Sequence, residues 1–384
     1  MAASACLPSG LLAAPAHGRV GGQAVTVGVL WPESSQYPNL GAELLAGMQA
    51  WAAQGSRDVA LRLLPVNYGS RPSQAREAAR QLLDSQSVDV LAAFVCRNAA
   101  GEWASELAER KVPLLVCDAG ANAVQPGALS PWVVRHSLGY WQANWAAGQW
   151  AASTLGRRAV VAVGALESGF DMLPAFIRGF ESAGGTVQAV HFTHMPDGSS
   201  RLPELEHLVR AERPDLVFAL DSGRNAAALA TLWVQSGLEG CVPLVGSGML
   251  AEGLNQVRMG AWNVLPWYAA HPRPANVQFR AAMGAIKPTS MHLLGYEVAQ
   301  RLSVGVQVSG GSGGMALATA IAALTLETPR GLVGSGVNGD TQASAVITGG
   351  PEGAGAVALG GVDAQACTGV CSALASRVTN TYLA

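Results

Sequence analysis

The stretch VTVGVLWPESSQYPNLGAELLAGM, from Val25 to Met48, carries the two periodicities that decide the fold. Its first six residues are a continuous apolar run, which suits a strand buried on both faces of a parallel sheet. Further on, Leu44 and Met48, with the following Trp51 and Ala52, recur at three- and four-residue spacing and share one face of a helix. The loop between them bears Trp31, Glu33, Ser34, Ser35 and Tyr37, where a nucleotide-binding protein would bear a run of glycines.

The same alternation continues on both sides of this unit. Strand-like runs follow at LRLLPVN (61–67), DVLAAFV (89–95) and PLLVC (113–117), and Ala75, Ala79 and Leu82 mark a second helical face. A break falls around WVVRHSLGY. Alternation then restarts with AVVAVG (159–164), a helix from Gly169 to Ala183, VQAVHFT (187–193), a helix near Leu202–Ala211, DLVFALD (215–221), a helix to Ser236, and VPLVGSG (242–248). After NVLPWY (263–268) come helical stretches near Val277–Ile286 and Thr289–Gln307. From Gly331 the chain is glycine-rich with short β runs, ASAVITGG and AGAVALGG. The expected fold is α/β, with two doubly wound Rossmann-like lobes and a ligand cleft between them. The expected boundaries are a leader or disordered segment at 1–24, a first lobe of 25–137 plus 263–342, and a second of 138–262 plus 343–384.

Composition narrows the function. With 384 residues, about half apolar and 13% charged, the chain is long enough for two cores. The net charge of −2 is spread without a basic face, which argues against nucleic acid as a partner. No apolar run reaches the roughly eighteen residues of a membrane span. Ala14-Pro15-Ala16 closes an early apolar stretch and fits a signal-peptidase site, although the basic start of a leader is missing. Cys6 as a lipid-attachment cysteine is a second option, and a tail without a role is a third. The six cysteines match no zinc spacing, so neither a metal nor any other cofactor is expected. Cys96 with Cys117, or Cys367 with Cys371, would be bridged in an exported protein and plain thiols in the cytosol. Catalysis has no carrier: there is no G-x-S-x-G nucleophile elbow, no H-E-x-x-H and no P-loop.

Ligands of doubly wound sheets bind beyond the carboxyl ends of the strands. The residues that matter are therefore Trp31 to Tyr37 after the first strand, Cys96, Arg97 and Asn98 after the third, and Asp118 to Asn122 after the fourth. In the second half they are Phe170, Asp221 with Ser222, and Ser247 with Gly248 and Met249. Aromatic walls with a few hydroxyls, amides and charges suit a small polar metabolite.

Here the chain resembles the type I periplasmic solute-binding proteins of ABC importers, in the branch of the leucine/isoleucine/valine-binding proteins. The matching stretches include VGVLWPESSQYPNLGAELLAGMQAW, SQAREAARQLLDSQSVDVLAAF, ELAERKVPLLVCDAGANAV, ESGFDMLPAFIRGFESAGGTV and HLLGYEVAQRL, in family order from Val25 to about Gly350. The resemblance implies two lobes joined by three crossovers that close on a ligand by hinge motion. It implies a monomer that hands a small solute to an ABC permease from the periplasm, with attachment by a lipid as the lesser option. A ligand-regulated sensor of the same fold is the alternative, and an enzyme a more distant one.

The resemblance also distributes roles. A group after the third strand, at Arg97 or Asn98, and the turn at Ala119 and Ala121 would hold a carboxylate. Phe170 would cover the ligand, with Trp31 and Tyr37 as further walls. The family's acidic partner for an ammonium falls at Ser247-Gly248, where this chain has no acid, so Asp221 or Asp118 takes over or the ligand lacks an amino group. Arg97 points to a carboxylate through its two-pronged guanidinium, and equally reads as an exposed strand-end arginine. Asp221 equally reads as a helix cap.

Overall fold

The structure, a computed structural model, describes residues 24–35, 37–54, 59–96, 100–124, 130–253, 260–336, 339–350 and 356–359. The first half of the chain builds β1 (Ala24–Trp31), α1 (Leu40–Ala52), β2 (Ala60–Asn67), α2 (Pro72–Ser85), β3 (Val90–Ala93), α3 (Ala104–Arg110), β4 (Leu114–Asp118) and β5 (Val133–Ser137). The five strands form one parallel sheet in the order β2-β1-β3-β4-β5. Its central strands are buried throughout, as their unbroken apolar runs require.

The chain then makes α4 (Tyr140–Thr154), β6 (Arg158–Val163), α5 (Met172–Ser182), β7 (Thr186–Phe192), α6 (Leu202–Glu212), β8 (Leu216–Leu220), α7 (Gly223–Gln235), β9 (Leu244–Gly246), α8 (Gly248–Gly253) and β10 (Trp262–Leu265). After α9 (Pro274–Met283), α10 (Ser290–Val308) and α11 (Gly314–Ala323) come β11 (Leu326–Thr328), β12 (Gly331–Ser335), β13 (Thr341–Gln342), β14 (Ala345–Gly349) and β15 (Val357–Leu359). The second sheet runs β15-β14-β10-β9-β8-β6-β7, and β11 to β13 form a small antiparallel one. Two doubly wound α/β lobes are thus present. None of the described helices is long and apolar enough to cross a membrane.

Three local expectations need correction. The break around WVVRHSLGY contains β5, a fully buried strand despite Arg135 and His136. The helices α4 and α11 lie in stretches without an expected element. NVLPWY does not start the return to the first lobe, because β10 pairs with β9 in parallel and with β14 in antiparallel. The chain leaves the second sheet only after Leu265. Of the cysteines, Cys96 and Cys117 carry thiols rather than sharing a disulfide, while Cys367 and Cys371 fall outside the described residues.

Each lobe is pinned by one helix pair in backbone contact. In the first, a Cβ on Gly47 of α1 would collide with the His292 carbonyl of α10, and one on Gly295 with the Leu44 carbonyl. In the second, Gly148 of α4 faces the Phe176 carbonyl of α5, and Gly179 faces that of Trp145. α10, late in the chain, therefore belongs against α1, while α4 starts the second lobe.

Between the lobes lies a buried ionic joint. Arg135 on β5 donates to Asp118 Oδ1 at 3.0 Å, to Asp340 Oδ1 at 2.7 Å and to the Asn122 carbonyl at 3.1 Å. Asp340 also accepts from the Trp141 indole at 2.9 Å, so one carboxylate spans the last crossover and α4. Beside it, Arg330 donates to Glu297 at 2.9 Å and to the Ser137 and Leu138 carbonyls at 2.8 and 3.0 Å. Burial raises the Glu297 carboxyl, but Arg330 and His136 overcome this and hold it down to about 2. Burial pushes His136 down to about 4 despite Glu297, so its neutral ring donates Nε2–H to Glu297 at 2.9 Å.

Arg135→Met should leave Asp118 and Asp340 buried without their cation and destabilise the protein by about 3–5 kcal/mol near neutral pH. Unpartnered buried carboxylates retain protons that the unfolded chain has lost, so this deficit should shrink as pH falls toward the ordinary Asp range. Denaturant unfolding of both proteins at neutral and mildly acid pH measures it; an equal deficit at both would contradict the ionic account.

Candidate ligand-binding site

The strand ends of the first lobe present a loop, a helix start and a turn. After β1, the Trp31 indole lies flat on Gly41 at the start of α1, where any Cβ would collide with it. The loop is folded by local bonds: Tyr37 N–H donates to Ser34 Oγ at 3.0 Å, and Leu40 N–H to the Tyr37 carbonyl at 3.0 Å. Both Trp31 and Tyr37 are half-buried against the core of the lobe. After β3 the chain reaches Cys96, while Arg97 and Asn98 lie outside the described residues.

The turn after β4 is tied from several sides. Asp118 Oδ1 accepts from Gly120 N–H at 2.9 Å, and Gly120 takes a left-handed φ of 67° where it packs on Gly139. The carbonyls of Ala119 and Gly120 accept from Tyr140 and Trp141 N–H at 3.1 and 2.7 Å, and that of Ala121 from Met172 N–H at 3.1 Å. Asp171 completes the bond set across the lobes: its carboxylate accepts from Ala123 N–H at 2.9 Å, and its N–H donates to Asn122 Oδ1 at 3.0 Å. The turn at Ala119 and Ala121 thus lies where first lobe, crossover and second lobe meet.

In the second lobe, Phe170 is buried, with its N–H bonded to the Glu167 carbonyl at 3.0 Å, two residues before Met172, the α5 start that meets this turn. Asp221 sits inside the lobe. It is fully buried and accepts from the Thr193 hydroxyl at 2.7 and 2.9 Å, and Ser222 rather than Asp221 occupies the cap of α7. Asp118, the other stand-in for the missing acid, is held by Arg135. Gly248 opens α8 with the Tyr140 ring 3.0 Å from where its Cβ would stand, so this ring occupies the space that a side chain there would take.

Sequence reading missed a cluster on the opposite flank. Tyr140 Oη donates to Glu252 Oε1 at 2.9 Å, and Ser290 at the start of α10 is a further neighbour that favours the Glu252 carboxylate. Glu252 on α8 thereby rests on the N-terminus of α10 in the other lobe, where the dipole and free N–H groups favour an anion. Burial raises its carboxyl, and neighbouring Glu43 adds to this. Burial also raises Tyr140 well above its ordinary value, and the Glu252 carboxylate beside it adds to this. The available signal was Glu252 itself, one helical turn beyond the expected acid at Ser247-Gly248.

Comparison with known proteins gives this arrangement its relatives. Residues 24–348 match the family described as periplasmic binding protein. A Leu/Ile/Val-binding protein homolog 6 from Brucella melitensis is 26% identical over 326 residues, covering 80% of this chain and 83% of that protein. Among solved structures, a solute-binding protein of an ABC transporter from R. palustris in complex with benzoate superposes with a TM-score of 0.70 at 24% identity, covering 88% of this chain and 96% of that one. An ABC transporter substrate-binding protein from Sphaerobacter thermophilus gives 0.76 at 22% identity, covering 89% and 97%. A leucine binding protein from Thermotoga maritima gives 0.67 at 19%, covering 88% and 98%. A family match over most of its length shows that the chain belongs to the periplasmic binding protein family, and the solved structures share its two-lobed fold.

Proposed function

We propose that this protein is an exported, monomeric receptor that takes a small carboxylate without an ammonium group into the cleft and delivers it to an ABC permease. One observation carries the ligand class. Each buried or half-buried acid described at the facing strand ends already has a protein partner: Asp118 with Arg135, Asp171 with Ala123 N–H, Asp221 with Thr193, Glu167 with Ser222, and Glu252 with Tyr140 and Ser290. An ammonium buried without a carboxylate would be strongly disfavoured. A carboxylate needs only donors, and the Arg97 guanidinium would supply them, with Tyr37, Tyr140 and Phe170 as the aromatic walls for the rest of the solute.

Benzoate and 4-hydroxybenzoate, each held by a structural relative from R. palustris, are suitable probes beside leucine. Either aromatic acid should raise the melting temperature and leucine should not, since a ligand stabilises only the state that binds it. Stabilisation by leucine alone would overturn the aromatic-acid reading and restore the amino-acid one.

Arg97→Ala should weaken binding of the responsive acid by about two to three decades, from the loss of a desolvated charge-assisted contact worth roughly 2–5 kcal/mol. Arg97→Lys should recover little, because an ammonium cannot make the two-pronged contact. Calorimetry on the folded variants measures both; unchanged affinity in Arg97→Ala would return this residue to the protein surface.

A further inference from the structure

Below the arm that carries Phe170 and Asp171, two acids are buried side by side. Glu167 lies in the 3-10 turn Glu167–Gly169 just after β6, and Asp221 at the end of β8. Glu167 is 2% exposed and Asp221 0%. Both converge on Gly164, where an added Cβ would collide with Glu167 Oε2 and come within 2.6 Å of Asp221 Oδ1. Glu167 Oε1 accepts from the Ser222 hydroxyl, while Oε2 has no hydrogen-bond partner among the described residues. Asp221 accepts from the Thr193 hydroxyl through both oxygens. The titratable groups facing Glu167 are Asp221 and His194, whose Nδ1 lies 3.7 Å from Asp221 Oδ1. No arginine or lysine joins the described cluster.

Two carboxylates this close, dry and without a guanidinium, cannot both stay ionised; one keeps a proton. Asp221 precedes the α7 N-terminus and has both oxygens bonded by Thr193. Glu167 has the oxygen without a partner. We propose that Glu167 is a neutral carboxylic acid whose Oε2–H donates to Asp221, and that this proton fastens the segment 165–171 to the second sheet. Within that segment Ala165 N–H also donates to the His194 carbonyl at 2.9 Å, and Asp171 bonds Asn122 and Ala123 of the first lobe. Losing the proton would set two anions against each other directly beneath Phe170 and the Asp171 contacts to the first lobe. Burial, with Asp221 adding to it, raises the Glu167 carboxyl in agreement with this geometry. The inference stands whichever solute the cleft takes.

The linkage has a definite sign. A carboxyl raised in the folded state keeps its proton after the unfolded chain has lost its own, so stability falls as pH climbs from the ordinary Glu range toward the folded value. Glu167→Gln imitates the acid, since its amide N–H₂ donates to Asp221 and its oxygen accepts from Ser222, but it cannot ionise. The melting temperature of the full-length wild type should therefore fall relative to Glu167→Gln by about 3 °C or more between about pH 5 and about pH 9. Asp221→Asn, which removes the second charge, should flatten the same slope. Infrared spectra of the wild type near neutral pH should contain the carbonyl stretch of a protonated carboxylic acid that Glu167→Gln lacks. Parallel melting curves for wild type and Glu167→Gln would overturn the proposal. So would absence of that band from the wild type, a measurement that remains decisive if neither variant folds.

Discussion

Everything in this molecule is hung on Arg135, a guanidinium buried between Asp118 and Asp340. It sits on the last strand of the first sheet, grips the end of its neighbour β4, and reaches the final crossover, whose Asp340 in turn holds Trp141 of the second lobe. An isolated charge could not be buried there. Two carboxylates and a carbonyl make the burial tolerable and in doing so fix three distant chain segments to one point. Arg330 repeats the device with Glu297 and His136 and clamps the carbonyls of Ser137 and Leu138, where the chain first crosses between lobes.

The joint explains why the cleft has its geometry. With the crossover fixed, the turn after β4 is held by the starts of α4 and α5, so its carbonyls are occupied. The strand ends of one lobe are then brought opposite those of the other, with Tyr37 and Tyr140 on one flank and Phe170 on the other. Glycine contacts between α1 and α10 and between α4 and α5 keep each lobe a rigid unit, since backbone against backbone leaves no slack for sliding. The bonds described between the lobes at this turn are those of Ala121 with Met172 and of Asn122 and Ala123 with Asp171.

The candidate site was legible in part. Aromatic and small residues after strands are visible in sequence because a strand–loop–helix pattern places them, and Trp31, Tyr37, Ala119, Ala121, Phe170 and Gly248 are candidates read in this way. Asp221 shows the limit of that reading. Its position after β8 suits a ligand contact as well as the interior of the lobe, and only the Thr193 hydroxyl and Glu167 arriving from other strand ends decide for the interior. Tyr140 and Glu252 escaped because each matters through a residue far off in the chain, Glu252 through Ser290 above all.

The sequence by itself determined the class of the protein, since continuous apolar runs alternating with helical faces can satisfy their backbone and bury their surface only as parallel sheets wound with helices. It determined the two-lobed plan as well, because the alternation stops and starts again. Only the tertiary structure decided that VVRHS is a strand, because Arg135 and His136 read as surface residues until Asp118, Asp340 and Glu297 come from as far as two hundred residues away to neutralise or bond them. It likewise decided that β10 belongs to the second sheet and α10 to the first lobe. Periodicity records which face of an element is buried, but strand pairing, helix contact and the partners of buried charges depend on segments that local pattern cannot connect.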